Sequence, residues 1–391
     1  MRAHTTALTL DVDLNDVARG DGYLFVRDGV GIAGRGVAAR IPLGDVPHAL
    51  AAIEHVDEVG GIHPIALGAI PFETGAPCEL VLPQVLVGKA PDGRKWVTVI
   101  DDAPLDIAPA PRPQPRAQSF SVAPLTNVDQ YLAAITTARD AVRAGLLTKA
   151  VIAREVTVSS PDPIDVHAVL LRLKAGFGSS YRYSIDGLIG ASPELLVSVE
   201  GNTVRSHPLA GTTARTGDPD TDQRAAAELL ASEKNQIEHR VVIDMIHDTL
   251  LPWCSYLDWE PEPSIISVAN VQHLRTALEG HLSDPRPNVL ELVTALSPTP
   301  ALGGFPRVQA LALIAAAEGF DRGRYGGAVG WVNAAGDGTW AVTIRCAELS
   351  DDRRRARLVA GGGIVAESEP LSELAETQAK LQAMLSAIVR P

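Results

Sequence analysis

YGGAVGWVNAAGDGTWAVTIRCAE, residues 325–348, is two apolar runs around the turn Ala335–Gly336–Asp337–Gly338. The runs are rich in Val, Trp, Thr and Ile, which suit a pleated, half-buried surface. Gly-Asp-Gly between them accepts the positive φ that a tight hairpin demands. The stretch therefore predicts an antiparallel hairpin late in the chain. Working outward, RARLVAGGG (355–363) reads as a strand that leaves through a glycine loop for a last helix over about 371–388. Upstream, Pro306 suits the first turn of a helix to about 318, another helix starts near 288, and a long one spans about 221–250. Earlier still come a strand pair over 181–200 and the β-rich KAVIAREVTV (149–158). A helix runs from Thr126, which with Asp129 resembles a capping box, to about Gly145. The first hundred residues give short strands and hairpins, with a helix at about 45–54 and a turn at Pro91–Gly93. Hairpins interspersed with long helices indicate an α+β fold: layered, largely antiparallel sheets flanked by helices. The proline-rich segment 102–118 is expected to be an extended surface connection. It divides an N-terminal α/β portion (1–120), contributing to the same framework, from a more strongly patterned region (121–391).

Composition narrows the class. With 46% hydrophobic and 21% charged residues, the 391-residue chain can bury a large core and is not a disordered chain. Its apolar runs fall short of the roughly 18–20 residues that span a bilayer, and the N-terminus lacks a signal-peptide core. A cytoplasmic, non-membrane protein is expected. Cys78, Cys254 and Cys346 are too widely spaced for a disulfide or metal pattern. His207, His239, His247 and His273 do not have zinc-site spacing. The net charge of −13 argues against nucleic acid. If the substrate is a small anion, the site has to concentrate positive potential locally.

Several residues could carry chemistry. Asn235 and Glu238 share one helix face, as do Glu373 and Glu376. Inward carboxylates from two helices would suit Mg²⁺, which takes oxygen ligands and often only one or two from protein; the same spacing also describes two solvated faces. Lys149 opens an apolar strand, where it either snorkels or, partly buried, serves as a general base. Glu194 in GASPELLV either ends a turn or, kept protonated by apolar surroundings, acts as an acid. Gly361–Gly363 could present free backbone N–H groups to an anion, with Arg345 and Lys380 adding charge. In HPLAGTTART (207–216), Pro208 and Gly211 shape what reads as a loop, yet Ala210 between them can do no chemistry.

Taken in order, the segments KAVIAR (149–154), GASPELL (190–196), PLAGTTAR (208–215), SEKNQIEH (232–239), PTPALGGFP (298–306), YGGAVGW (325–331), TIRC (343–346) and GGGIVAESEPLSELAETQAK (361–380) resemble the chorismate-utilising enzymes over about residues 120–388. That family includes isochorismate, salicylate, anthranilate and aminodeoxychorismate synthases. The resemblance implies the chorismate-binding enzyme fold and Mg²⁺-dependent chemistry on chorismate, a dicarboxylate. It implies Glu238 and Glu376 as metal ligands, with Asn235 and Glu373 one turn away in support. Arg345, Gly361, Gly362, Gly363 and Lys380 match groups that hold the substrate carboxylate. Gly211, Thr212, His273 and Ala301 fall where the family lines its ring pocket.

The resemblance also explains Ala210. Aminodeoxychorismate synthases carry a nucleophilic lysine there; this chain does not. Anthranilate synthases share the alanine but typically have glutamine where this chain has Lys149. Lysine at that position resembles the water-using members. The implied reaction is isochorismate synthesis, with Lys149 as the base for water and Glu194 as the acid for the leaving hydroxyl. A salicylate synthase, which goes on to eliminate pyruvate, shares both residues; a degenerate, non-catalytic binding subunit is the alternative of a different class. A monomer without an obligatory amidotransferase subunit is expected. Two residues depart from the family pattern: Ser297 stands where histidine is usual, and Asn235 where aspartate is favoured.

Overall fold

The computed structural model describes residues 1–390 except 109, 110, 112, 114–117, 269 and 270. The connection expected over 102–118 therefore lies partly outside the described residues. Among these residues the strands form sheets of 13, 9 and 3 strands, and the pairing is antiparallel nearly throughout, as in Ala328–Asn333 against Gly338–Val342. Parallel pairing joins Arg2–Ala7 to Glu54–Asp57. The α+β, layered reading holds.

The hairpin at 328–342 lies inside the nine-stranded sheet, between Leu195–Glu200 on one side and Ile65–Ile70 on the other. Its Trp340 is fully buried. The 13-stranded sheet contains a long antiparallel pair, Lys149–Ser159 with Arg355–Ile364, in register from Ala150↔Ile364 to Ser159↔Arg355. Strands from the first hundred residues enter both large sheets: Tyr23–Arg27 pairs with Tyr181–Ile185, and Ile65–Ile70 pairs with Ala328–Asn333.

Strand alternation produces the layers. Phe25, Tyr183 and Val359 of the larger sheet meet Leu67, Val197 and Trp340 of the smaller one in a shared core. The opposite face of the larger sheet, with Val158 and Leu358, is covered by Leu170, Leu173, Met384 and Ile388 of the helices Val166–Gly176 and Pro370–Val389. At one end, Ile152 and Ile364 pack against Ile135 and Ile314 from the helices Val128–Arg143 and Arg307–Glu318.

The structure corrects some local expectations. The helix over 221–250 is two helices, Pro219–Ala231 and Glu233–Leu250. Ser232 leaves helical geometry (ψ 110°) and its hydroxyl caps the second helix at the Asn235 N–H, as a short polar side chain does best at an N-cap. The segment 181–200 holds three strands rather than two. Asn127, not Thr126, caps the helix after 127, accepting from the Asp129 N–H at 2.7 Å; Thr126 instead accepts the Glu155 N–H.

Candidate active site

Lys149 is the first residue of its strand and is 2% exposed. Its Nζ donates to Glu238 Oε1 at 2.6 Å. Glu238 lies in the second turn of the helix that Ser232 starts, so that cap sets where the carboxylate enters the site.

The glycine triplet is not a loop. Gly361, Gly362 and Gly363 continue the strand Arg355–Ile364 and pair with Ala153, Ile152 and Val151. Their role is steric. A Cβ at Gly363 would stand 2.7 Å from Glu238 Oε1 and 2.7 Å from Lys149 Cε; one at Gly362 would stand 2.8 Å from Glu373 Oε2. The glycines thus make room for carboxylates brought in by two helices. The neighbouring strand stops pairing at Leu358, and Lys380 Nζ donates to the Gly361 carbonyl at 2.9 Å and forms an ion pair with Glu376 Oε1 at 2.6 Å.

PLAGT is likewise strand rather than loop. Leu209–Ala214 pairs with Val271–Arg275, with a register shift between Ala210 and Thr212. Gly211 sits at that bulge with φ +67°, and a Cβ there would crowd Asn235 Oδ1 at 3.1 Å; such a bulge favours glycine.

Across the pocket, Arg345 joins two strands at φ +51°, a conformation that a non-glycine residue keeps only when its surroundings hold it. Its Nη2 donates to His273 Nε2 at 3.0 Å. An arginine cannot accept, so His273 carries its hydrogen on Nδ1, which faces the Gly211 carbonyl at 3.0 Å. Thr212 Oγ1 lies 3.2 Å from the same nitrogen. Burial, then the positive charges of Arg345 and Lys380, push the His273 pKa down to about 3. The ring is neutral and its tautomer is set.

Glu194 is 2% exposed and precedes the strand Leu195–Glu200. Burial raises its pKa to about 7, against the opposing pull of the Leu209 N–H and of Arg345, Lys149 and Lys380. A carboxyl so placed holds a proton near neutral pH and can release it.

One pocket is bordered by Lys149, Glu194, Gly211, Thr212, Asn235, Glu238, His273, Ala301, Arg345, Gly361, Gly363, Glu373, Glu376 and Lys380. Of the residues singled out from sequence, Gly362 does not border it. Ser297 does not either; it ends the helix Val289–Leu296. Ala210 also borders it, and Leu209, Leu302, Tyr325 and Ile344 complete the wall. Sequence reasoning missed these four because each lay inside a segment read as strand or as shared motif, with no charge to mark it.

Among the described residues, no cluster of three or more His, Cys, Asp or Glu side chains is placed to hold a metal. Glu373 and Glu376 reach the space over Gly362 and Glu238 the space over Gly363; all three border the same pocket and offer only oxygen donors. That donor set fits a hard cation taking one or two protein carboxylates and completing its shell with water or substrate.

A family model described as "chorismate binding enzyme" matches residues 86–389. A Mycobacterium tuberculosis protein provisionally named isochorismate synthase MenF is 41% identical over 369 residues, 90% of this chain and 92% of that one. Isochorismate synthase DhbC of Bacillus subtilis is 38% identical over 348 residues, 86% of this chain and 84% of that one. The structure of MenF, the menaquinone-specific isochorismate synthase from Escherichia coli, superposes with TM-score 0.85 at 22% identity, covering 99% of this chain and 94% of that one, which is a likeness of fold. The pocket, the motif series and these relatives place the chain in the chorismate-binding enzyme family.

Proposed function

We propose that this chain is an isochorismate synthase, interconverting chorismate and isochorismate by adding water at C2 and releasing the C4 hydroxyl. The observation that carries the reading is that Lys149 and Glu194, both buried, border one pocket with the cations Arg345 and Lys380, while Ala210 offers no nucleophile. Arg345 and Lys380 supply the local positive potential that a dicarboxylate needs in a chain of net charge −13. Lys149 takes a proton from water as that oxygen bonds to C2. The ring double bonds shift, and Glu194 gives its proton to the C4 hydroxyl as it leaves as water. Lys149 then returns its proton to solvent and Glu194 regains one, so the turnover is neutral in atoms and charge. The raised pKa of Glu194 serves that role, since an acid works best with a pKa near the operating pH.

Glu238 and Glu376 would hold Mg²⁺, with Asn235 and Glu373 in support, and the cation would clamp and polarise a substrate carboxylate. Asn235 contributes no charge, so the site is less negative than one built with aspartate. The enzyme acts as a cytoplasmic monomer and needs no amidotransferase subunit.

Mass-resolved product analysis of the purified protein with chorismate and Mg²⁺ tests the reading, with parallel reactions containing EDTA or an ammonium salt. Isochorismate alone, lost with EDTA, is the expected result. Salicylate with pyruvate would make the chain a salicylate synthase. Anthranilate formed only with ammonium would overturn the role of Lys149, and no turnover would favour a binding subunit.

A further inference from the structure

The strand that carries Lys149 has a gap along its outer edge. Its odd-numbered residues face away from the Arg355–Ile364 strand. The Val151 N–H is taken by the Gly303 carbonyl at 3.0 Å, and the Glu155 N–H by Thr126. Between those points, among the described residues, no strand lies opposite the Val151 carbonyl and the Ala153 N–H: the short strand Gly304–Phe305 pairs only to Ala150, and Ser121–Pro124 pairs from Val156 onward.

Two side chains fill the gap. Glu318 ends the helix Arg307–Glu318, and its Oε1 accepts the Ala153 N–H at 2.7 Å. Arg322 donates through Nη2 to the Val151 carbonyl at 2.7 Å and through Nη1 to the Leu302 carbonyl at 2.7 Å. Its Nε donates to Glu318 Oε2 at 2.8 Å, and Nη2 also reaches Glu318 Oε1. The guanidinium stacks over the Phe72 ring, 4.3 Å from its centroid. The two side chains are 2% and 1% exposed, and neither borders the pocket. A buried ion pair by itself is weak evidence for stability. What distinguishes this one is that its remaining hydrogen bonds go to the backbone of the Lys149 strand and of Leu302, which borders the pocket.

We propose that the Arg322–Glu318 pair is a positioning clamp. It replaces the missing rungs of the sheet ladder and extends the pairing that already joins the Lys149 strand to Gly303–Phe305, locking that strand to Leu302, beside Ala301 of the pocket wall, so that the base is held at a fixed distance from the bound ring. Tyr325, three residues beyond Arg322, borders the same pocket. The kinetic consequence rests on the isochorismate synthase reading; the structural one does not.

The variants R322K and E318Q test the clamp. Lysine keeps the charge but cannot reach Val151, Leu302 and Glu318 at once; glutamine keeps an acceptor for the Ala153 N–H and loses the charge. Expected are a fall in kcat of about tenfold or more for R322K, a smaller one for E318Q, and little change in KM, since misplacement of a catalytic group costs rate rather than binding. Hydrogen exchange of the 149–155 segment should rise in the same order. A lowered Tm with kcat per folded molecule unchanged would overturn the clamp and leave a purely structural pair; so would unchanged exchange. Should R322K fail to fold, E318Q carries both readouts. Absence of turnover in the wild-type protein would refute the isochorismate reading alone, because exchange at 149–155 needs no activity.

Discussion

Lys149 Nζ lies 2.6 Å from Glu238 Oε1, and the two side chains meet over Gly363, where no Cβ intervenes. Lys149, the proposed base, is thus placed by a residue that has no side chain. Gly363→Ala should force Lys149 and Glu238 apart, since the new methyl would stand 2.7 Å from each. Overpacking of this kind costs roughly 1–3 kcal/mol of stability, and a displaced catalytic group loses about a hundredfold in rate. Thermal melts and kcat measured together check this, with Gly44→Ala as a control because nothing lies within 4 Å of its Cβ. A Gly363→Ala protein with wild-type kcat would show that the glycine reserves no space.

Lys149→Ala should abolish isochorismate formation while leaving the fold intact at a cost, because Glu238 loses its hydrogen-bond partner. Truncating one member of a largely buried pair costs about 3–5 kcal/mol when the other stays charged; Glu238 retains 12% side-chain exposure, so the lower end applies. Product analysis on folded protein decides it: turnover unchanged in Lys149→Ala would remove Lys149 from the mechanism.

Glu194 imposes a pH dependence whose sign follows from its raised pKa. Folded, it titrates near 7; its ordinary value is 4.5. The fold prefers the protonated form, so this contribution is fully present below 4.5 and is lost as pH rises through about 7. Over that span the loss is about 3 kcal/mol. Glu194→Gln should match the wild type near pH 4 and be the more stable protein at pH 8, by denaturant unfolding. The same titration sets an alkaline limb near pH 7 on kcat/KM, since an ionised Glu194 has no proton for the leaving hydroxyl. A wild-type limb absent near 7 would argue against the acid role.

Mg²⁺ should raise the melting temperature of the wild-type protein, because a ligand at a hundred times its Kd adds about 2.7 kcal/mol. Glu238→Gln and Glu376→Gln should each shrink that shift and EDTA should remove it. The readout requires no turnover. A shift equal in wild type and both variants would place the cation elsewhere.

The fold class was legible from the period of the strands and from the hairpin at 328–342, because alternation and a Gly-Asp-Gly turn are local properties. Which residues meet was not. Lys149 and Glu238 come together through a ten-pair register with the Arg355–Ile364 strand and through a cap at Ser232. The glycines 361–363 and the PLAGT segment were read as loops because glycine usually marks turns; each is a strand whose missing Cβ admits a side chain from elsewhere. Arg322 and Glu318 drew no notice, since an i,i+4 pair at a helix end looks like surface charge until the strand edge it completes is seen.

His273 offers the sharpest separation of a positioning role from proton transfer. It accepts from Arg345 on Nε2 and faces the Gly211 carbonyl with Nδ1, so its neutral form is the one the site uses. Its pKa is depressed to about 3 from 6.5. The neutral ring therefore contributes stability present above 6.5 and lost as pH falls toward 3, the reverse of Glu194. His273→Ala should flatten that acid loss of stability. It should also release Arg345, raising KM for chorismate about tenfold, as loss of a charge-assisted contact of some 1.4 kcal/mol would. The alkaline limb on kcat/KM should stay near pH 7, because Glu194 and not His273 sets it. Disappearance of that limb in His273→Ala, with KM unchanged, would transfer the proton-donating role to the histidine and leave Glu194 as a buried structural acid.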